Sequence, residues 1–412
     1  MKQLPRRTAV LVFAAFAFAY FLSSLIRAIT ATLSPTLIDE FGLAARDLGL
    51  LAGGYFLGFA ATQMPLGAWL DRHGPKKVIL CFLSIAVLGC LAFAVADSFQ
   101  GLLLARFLSG VGVSACLMAP LTGYRRWLPA NAQIRANSWM LMTGSFGMVA
   151  STLPVQWLMP LVGWRVLFWG LAAMLVLAML LISWRAPGWQ KMASGPELLH
   201  TVPPGYAAVW RHPYFRSMAP MAFFIYGGLV AMQTLWVTPW MIRVGAYSPL
   251  QAATGLFWLN VAMLTSFLAW GMIYPWLSVR GYSADRLIRH GMPLSFVLLA
   301  LIIAAGSDIG TWAALAWALY CMSCTFISLA QPAVAMAFPA NLAGRALASY
   351  NLLIFAGVFA VQWGIGLAID GFRALGWQEV PAFQMAMTGY LLCAVAAYTY
   401  FWATKSHNPQ MS

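Results

Sequence analysis

The amino-acid sequence predicts an all-α membrane protein: twelve transmembrane helices arranged as two pseudo-symmetric six-helix bundles. Three observations predict it: a composition too apolar for a soluble chain, twelve apolar segments long enough to cross a bilayer, and a repeat spaced by half the chain. Of 412 residues, 62% are hydrophobic and 8% are charged, against roughly 45–50% and 25% in soluble domains. One crossing needs about 20 apolar residues. The net charge of +14 would fit a nucleic-acid partner, but its placement follows membrane topology and no such partner is expected.

In chain order the apolar segments, numbered here as spans 1 to 12, lie near residues 9–34, 47–70, 78–97, 101–123, 136–158, 166–184, 217–241, 249–276, 290–306, 311–338, 347–370 and 382–403. The first follows the basic stub Lys2, Arg6 and Arg7. It exceeds a signal-peptide core of about 7–15 residues and lacks a small-residue cleavage site, so it reads as a span. The loops after spans 2, 4, 6, 8 and 10, with the two tails, hold eighteen basic residues, among them Arg72, Lys76, Lys77, Arg125, Arg126, Arg280 and Arg345. The alternate loops hold four, Arg46, Arg165, Arg243 and Arg373. By the positive-inside rule both termini are cytoplasmic and the chain is a multi-pass protein of the cytoplasmic (inner) membrane, in contact with the lipid bilayer. The six cysteines sit inside apolar segments and report no disulfide framework. Cys321 and Cys324 have the spacing of a metal pair but no second pair beside them.

The link after span 4 reads Pro129-Ala130-Asn131-Ala132-Gln133-Ile134-Arg135-Ala136, and the link after span 10 reads Pro339-Ala340-Asn341-Leu342-Ala343-Gly344-Arg345-Ala346. Five of eight positions match at an offset of 210 residues, which is six spans. The expected organisation is therefore a six-helix half (1–184), a cytoplasmic linker rich in Pro and Gly (185–216) and a second six-helix half (217–412). Two such halves around a midplane site are an architecture of secondary transporters.

Between spans 2 and 3 runs Gly67-Ala68-Trp69-Leu70-Asp71-Arg72-His73-Gly74-Pro75-Lys76-Lys77. It resembles the hallmark loop of the major facilitator superfamily. Positive-inside topology accounts for Arg72, Lys76 and Lys77. It does not account for the spacing of Gly67 and Gly74, or for Asp71, expected at a buried edge facing the N-terminus of a neighbouring helix. The second-half counterpart, Gly271 to Arg280, keeps the glycine and puts Pro275 in place of the Asp. In span 4, Arg106-Phe107-Leu108-Ser109-Gly110-Val111-Gly112 is similar to the superfamily's second motif, whose Arg is linked to proton coupling. Gly67, Asp71, Arg72, Gly74, Lys76, Arg106 and Gly110 are thus the candidate gating and coupling residues. Span 5 lacks the Gly-Pro arrangement typical of drug antiporters.

A charge inside a bilayer is a functional-site hypothesis by default, and the spans contain two, Arg27 and Arg106, with no Asp, Glu or His deep in any of them. Arg27 binds an anion or pairs with an acid of another span, Asp39 being about 18 Å along the same helix. Residues 25–49 resemble span 1 of organophosphate:phosphate antiporters and related organic-anion carriers, with Arg27, Pro35 and the triplet Asp47-Leu48-Gly49 in matching order. That resemblance implies that Arg27 ligates the substrate's anionic group. Those carriers have a second Arg in span 7. Here an offset of 206 relates Arg27 to Gln233 and Tyr20 to Tyr226, and one cationic hand fits a monoanion better than a phosphate ester. Arg106, about one turn inside the end of its span, is either a rim cation paired with Asp39 or Glu40, or an outer gate. The resemblance implies a path lined by spans 1, 4, 7 and 10 with help from 2, 5, 8 and 11. This singles out Tyr55, Gln233, Trp236, Asn260, Gln331 and Asn351 with Arg27 for the substrate, and leaves Gln63, Asn137, Gln156 and Gln362 as ordinary helix-helix amides.

The function expected is secondary active transport of a small organic anion by alternating access, with a proton as coupling ion, by a monomer needing no cofactor. Efflux of drugs or amphipathic compounds is the alternative within the superfamily, and a non-transporting membrane sensor lies outside it. An enzyme would need a positioned acid, base, nucleophile or metal set. The five histidines, His73, His200, His212, His290 and His407, are too scattered for that, and no phosphate-binding Gly-rich loop is present.

Overall fold

In the computed structural model, residues 4–189 and 205–404 are described. Lys2, His200 and His407, named above, the basic residues Lys191 and Lys405, and most of the expected linker lie outside them. Nine helical stretches among the described residues are long and apolar enough to cross a membrane by length and composition. The rest of the twelve come from resolving breaks. Span 2 is interrupted at Thr62 into Ala45–Ala61 and Gln63–His73. Span 5 is Ala130–Ala150 with the first turns of Leu153–Arg185, and Gly163, at φ 72, reverses the chain into span 6. Spans 9 (Ala284–Ala305) and 10 (Ala313–Cys324, Ala330–Met336) part at Gly306 and Gly310. The remaining spans are span 1 (Arg6–Phe41), span 3 (Pro75–Ala94), span 4 (Phe99–Trp127), span 7 (Pro213–Arg243), span 8 (Pro249–Val279), span 11 (Ala340–Ala374) and span 12 (Glu379–Ala403).

Helices are what a bilayer permits, because each backbone N–H and C=O finds its partner within the segment. The outer surface confirms the solvent: Leu161 is 78% exposed, Leu180 62%, Trp258 63% and Leu392 63%, an apolar skin that water would not tolerate. Both copies of the half-chain repeat act alike. Pro129 (ψ 154) and Pro339 (ψ 153) are extended N-caps from which spans 5 and 11 begin.

An even number of crossings puts both described chain ends at one end of the molecule, the terminus end; the opposite end is the far end. Spans 1 to 6 pack among themselves, as do 7 to 12, and the halves meet mainly where spans 2 and 11 run side by side and span 1 lies against span 7. Glycines make the 2–11 seam. A methyl group at Gly49 would collide with the carbonyl oxygen of Gln362, and one at Gly366 with that of Ala45. Lower in the seam Phe59 and Phe355 touch at 4.3 Å between ring centroids. The terminus end is different: methyl groups at Gly67 and Gly344 would meet nothing within 4 Å, and the terminus-end parts of spans 4 and 10 make no extended contact. The seam is tightest at the far end and loosens toward the terminus end, where span 11 still contacts Gln63–His73.

Within the first half, a methyl at Gly110 would strike the carbonyl of Tyr55. We predict that Gly110→Ala lowers the unfolding temperature of the purified protein, as a cost of about 1–3 kcal/mol for overpacking implies. Gly67→Ala, with open space around it, should leave that temperature within error.

Candidate functional site

Arg27 sits one residue past Ile26 on span 1, with partial exposure although protein surrounds it. Its electrostatic partners are the hydroxyls of Tyr20, a span 1 neighbour two turns away, and Tyr55 on span 2. The ring of Phe59 lies 5.7 Å from its guanidinium carbon. Tyr226 of span 7 is within electrostatic reach of both Arg27 and Tyr20, so the two tyrosines related by the 206 offset face one another across the halves. Arg27 forms no ion pair with any acid among the described residues, and its Nε has no protein acceptor. The acid-paired alternative for Arg27 finds no partner there.

Arg106 is deeper than the sequence placed it. It is fully buried, donates from Nη1 to the carbonyl of Ile26 at 2.8 Å, and lies over the Tyr55 ring at 4.9 Å. Its Nε and Nη2 have no acceptor. The rim-cation reading is corrected: Glu40 is held by Trp164 Nε1 at 2.7 Å and by Arg165, and not by Arg106. Gly110, one turn on, lets span 4 approach the Tyr55 backbone closely enough for this stacking. The two span cations come together, since both guanidiniums lie beside the fully buried Tyr55, whose hydroxyl donates to the Ser23 carbonyl at 3.4 Å.

The second half contributes amides, already paired. Gln233 donates to Asn260 Oδ1 at 2.8 Å, and Asn260 Nδ2 donates to the Leu256 carbonyl at 2.8 Å. Gln331 donates to Asn351 Oδ1 at 2.7 Å. Span 7 carries two π-helical turns, Met221–Tyr226 and Met232–Trp236; such bulges often mark functional positions, and these hold Tyr226, Gln233 and Trp236. Trp236 is fully buried, and its Nε1 donates to the Gln362 carbonyl at 3.1 Å. Its ring lines a far-end cavity of ≈ 720 Å³ with Pro35, Asp39, Arg243, Asp370 and Glu379, above the level of Arg27. Gln362 was set aside by the sequence reading, yet it is fully buried at the seam and also donates from Nε2 to Thr234 Oγ1 at 3.0 Å. It stands seven residues after Phe355 and four before Gly366, on one face of span 11, which was the available signal.

The hallmark loop is only partly as expected. Gly74 has φ 79 and closes the turn into Pro75. A methyl there would strike Trp189, whose ring carries the Arg126 guanidinium at 3.8 Å. Asp71, expected at a buried edge, is exposed and in no hydrogen bond or ion pair among the described residues, and Arg72 is exposed while Lys76 is half-buried. No group of three or more His, Cys, Asp or Glu side chains among the described residues could hold a metal ion, and the six cysteines are free.

If the amide pairs are structural units, Asn260→Leu alone should destabilise the protein by about 1–3 kcal/mol, because it strands the Gln233 donor. The double variant Gln233→Leu/Asn260→Leu should recover much of that loss in thermal unfolding.

Comparison with known proteins agrees with the geometry. The chain is 26% identical over 407 residues to a 4-hydroxybenzoate transporter of Pseudomonas aeruginosa, covering 92% of this chain and 88% of that one. It is 26% identical over 278 residues to a gallate transporter of Pseudomonas putida, covering 60% and 61%. Matches to two other transport proteins, from Bacillus subtilis and Cupriavidus necator, reach 36% and 38% of those relatives' length. The fold superposes on a bacterial homologue of the human lysosomal transporter Spinster, solved inward-facing and unoccupied, with a TM-score of 0.78 at 17% identity over 97% of this chain and 98% of that one. The family model of the Major Facilitator Superfamily matches residues 16–362. With the family model over most of the chain and a relative matched along most of its length, the chain belongs to the Major Facilitator Superfamily, a family of multi-pass membrane transporters and not of enzymes.

Proposed function

We propose that the protein is a secondary active transporter of a small organic monoanion, whose carboxylate is bound by Arg27 at mid-membrane. The observation that carries this reading is the unpaired guanidinium of Arg27 at the meeting of the two halves, with tyrosine hydroxyls but no acid beside it. A planar guanidinium suits a carboxylate bidentately. The rings of Phe59, Phe355, Tyr20 and Tyr226 favour a flat, partly apolar body, and the 4-hydroxybenzoate and gallate named for two relatives are hydroxylated aromatic acids of that shape.

Arg106 and Tyr55 hold Arg27 in place from behind. Gln233, Asn260, Gln331 and Asn351 offer neutral polar groups from the second half, and Trp236 closes the far side. The basic terminus end faces the cytoplasm of the inner membrane, residues 185–216 tie the halves, and the hallmark residues Gly67, Asp71, Arg72, Gly74 and Lys76 engage when that end closes. Proton symport is the coupling assigned, by a monomer. The paired cations at the site run against efflux of cationic drugs.

The test is uptake of radiolabelled 4-hydroxybenzoate into proteoliposomes under an inward proton gradient. Wild type should accumulate the acid. Arg27→Gln should lower uptake by about 100-fold or more, since removing one partner of a buried pair costs about 3–5 kcal/mol. Equal uptake by both would overturn the assignment of Arg27, and efflux of a cationic dye untouched by Arg27→Gln would favour drug export.

A further inference from the structure

We propose that Asp370 is the positioning residue that locks the far end of the carrier: from span 11 in one half, its carboxylate caps the N-terminus of span 2 in the other. The inference rests on the alternating-access reading of the function. Asp370 Oδ1 accepts the backbone N–H of Ala45 at 3.2 Å and Oδ2 accepts that of Arg46 at 2.9 Å, across 325 and 324 residues of sequence. The first N–H groups of a helix have no partner of their own and carry the positive end of its dipole, so an anion supplied by the opposite half is attracted twice over.

Three further observations make this a lock rather than a local cap. Within its own half span 2 has only half a cap: Asp47 Oδ2 accepts the Ala44 N–H at 3.1 Å, but Ala44 has no side-chain oxygen for the helix, so the acceptor for the Ala45 and Arg46 N–H groups comes from the opposite half. The basic side chains nearby are engaged elsewhere: Arg46 pairs with Asp47 at 3.7 Å, and Arg243 and Arg373 lie 3.8 and 3.7 Å from Glu379. Arg243, Arg373, Glu379 and Asp39 complete the charged lining of the far-end cavity beside Asp370, and both oxygens of Asp370 are left for the backbone. Finally, the bond sits directly above the tightest part of the seam, where Gly366 admits the Ala45 carbonyl and Gly49 admits that of Gln362. Hydrogen bonds fail within a few tenths of an ångström of separation, so the halves cannot part at this end while both N–H bonds hold.

Backbone hydrogen exchange read by mass spectrometry, on the full chain in lipid nanodiscs without solute, tests the proposal. Asp370→Asn should raise exchange about five-fold in far-end peptides of both halves, residues 33–49 and 362–375. It should also slow exchange at the terminus ends of spans 4 and 10, as the opposite end closes. Asp370→Glu, which keeps the carboxylate, should stay near wild type. Gly49→Ala, which forces a methyl against the Gln362 carbonyl, serves as a wedge independent of the carboxylate. A reciprocal response to Gly49→Ala but not to Asp370→Asn would overturn the lock while leaving alternating access intact. A response of Asp370→Asn confined to residues 43–49 would reduce Asp370 to a local cap. No reciprocal response in either variant would sink the alternating-access reading and the lock with it.

Discussion

A guanidinium held at mid-membrane without a counter-ion is the interaction that the site is built around. Desolvating such a charge costs several kcal/mol even after relaxation, and the protein offsets it without an acid. Arg27 has tyrosine hydroxyls, the face of Phe59 and partial exposure. Arg106 sits behind it, saturating one donor on the Ile26 carbonyl and resting on the other face of the Tyr55 environment. Two cations around one ring leave a local excess of positive charge, and a carboxylate relieves more of that excess than any neutral solute could. The amides of the second half fit the same logic. Bonded in pairs, they add polarity and shape beside the two guanidiniums without adding charge.

The second constraint is the close approach of spans 2 and 11. Glycine at 49 and 366 brings backbone against backbone, so spans 2 and 11 form a tight seam beside the charged far-end cavity. Phe59 connects the seam to the site, touching Phe355 on one side and Arg27 on the other. Movement of the seam therefore reaches the guanidinium through a single ring.

Much of this was legible in the sequence because a bilayer enforces simple rules. Arg27 stood out because a charge inside an apolar run is costly, and the Tyr20 and Tyr226 pair emerged from an offset between the halves. The triplet Asp47-Leu48-Gly49, noticed only as a resemblance, has a physical content: Asp47 accepts the N–H of Ala44 at the start of its helix and Gly49 admits Gln362. What was not legible depends on tertiary placement. Arg106 looked like a rim residue because position along a span does not give depth when helices tilt. The pairing of Gln233 with Asn260 needs two helices in register. Asp71 was expected in contact with a helix terminus and is exposed instead, because sequence does not state which helix ends come together.

The most direct measurement compares binding of a carboxylate and its uncharged isostere, 4-hydroxybenzoate and 4-hydroxybenzamide, to wild-type protein and to Arg27→Gln by isothermal titration calorimetry. If the guanidinium is the anion's ligand, wild type prefers the acid by about 100-fold and the variant loses that preference. Equal preference for the acid in both proteins would contradict it.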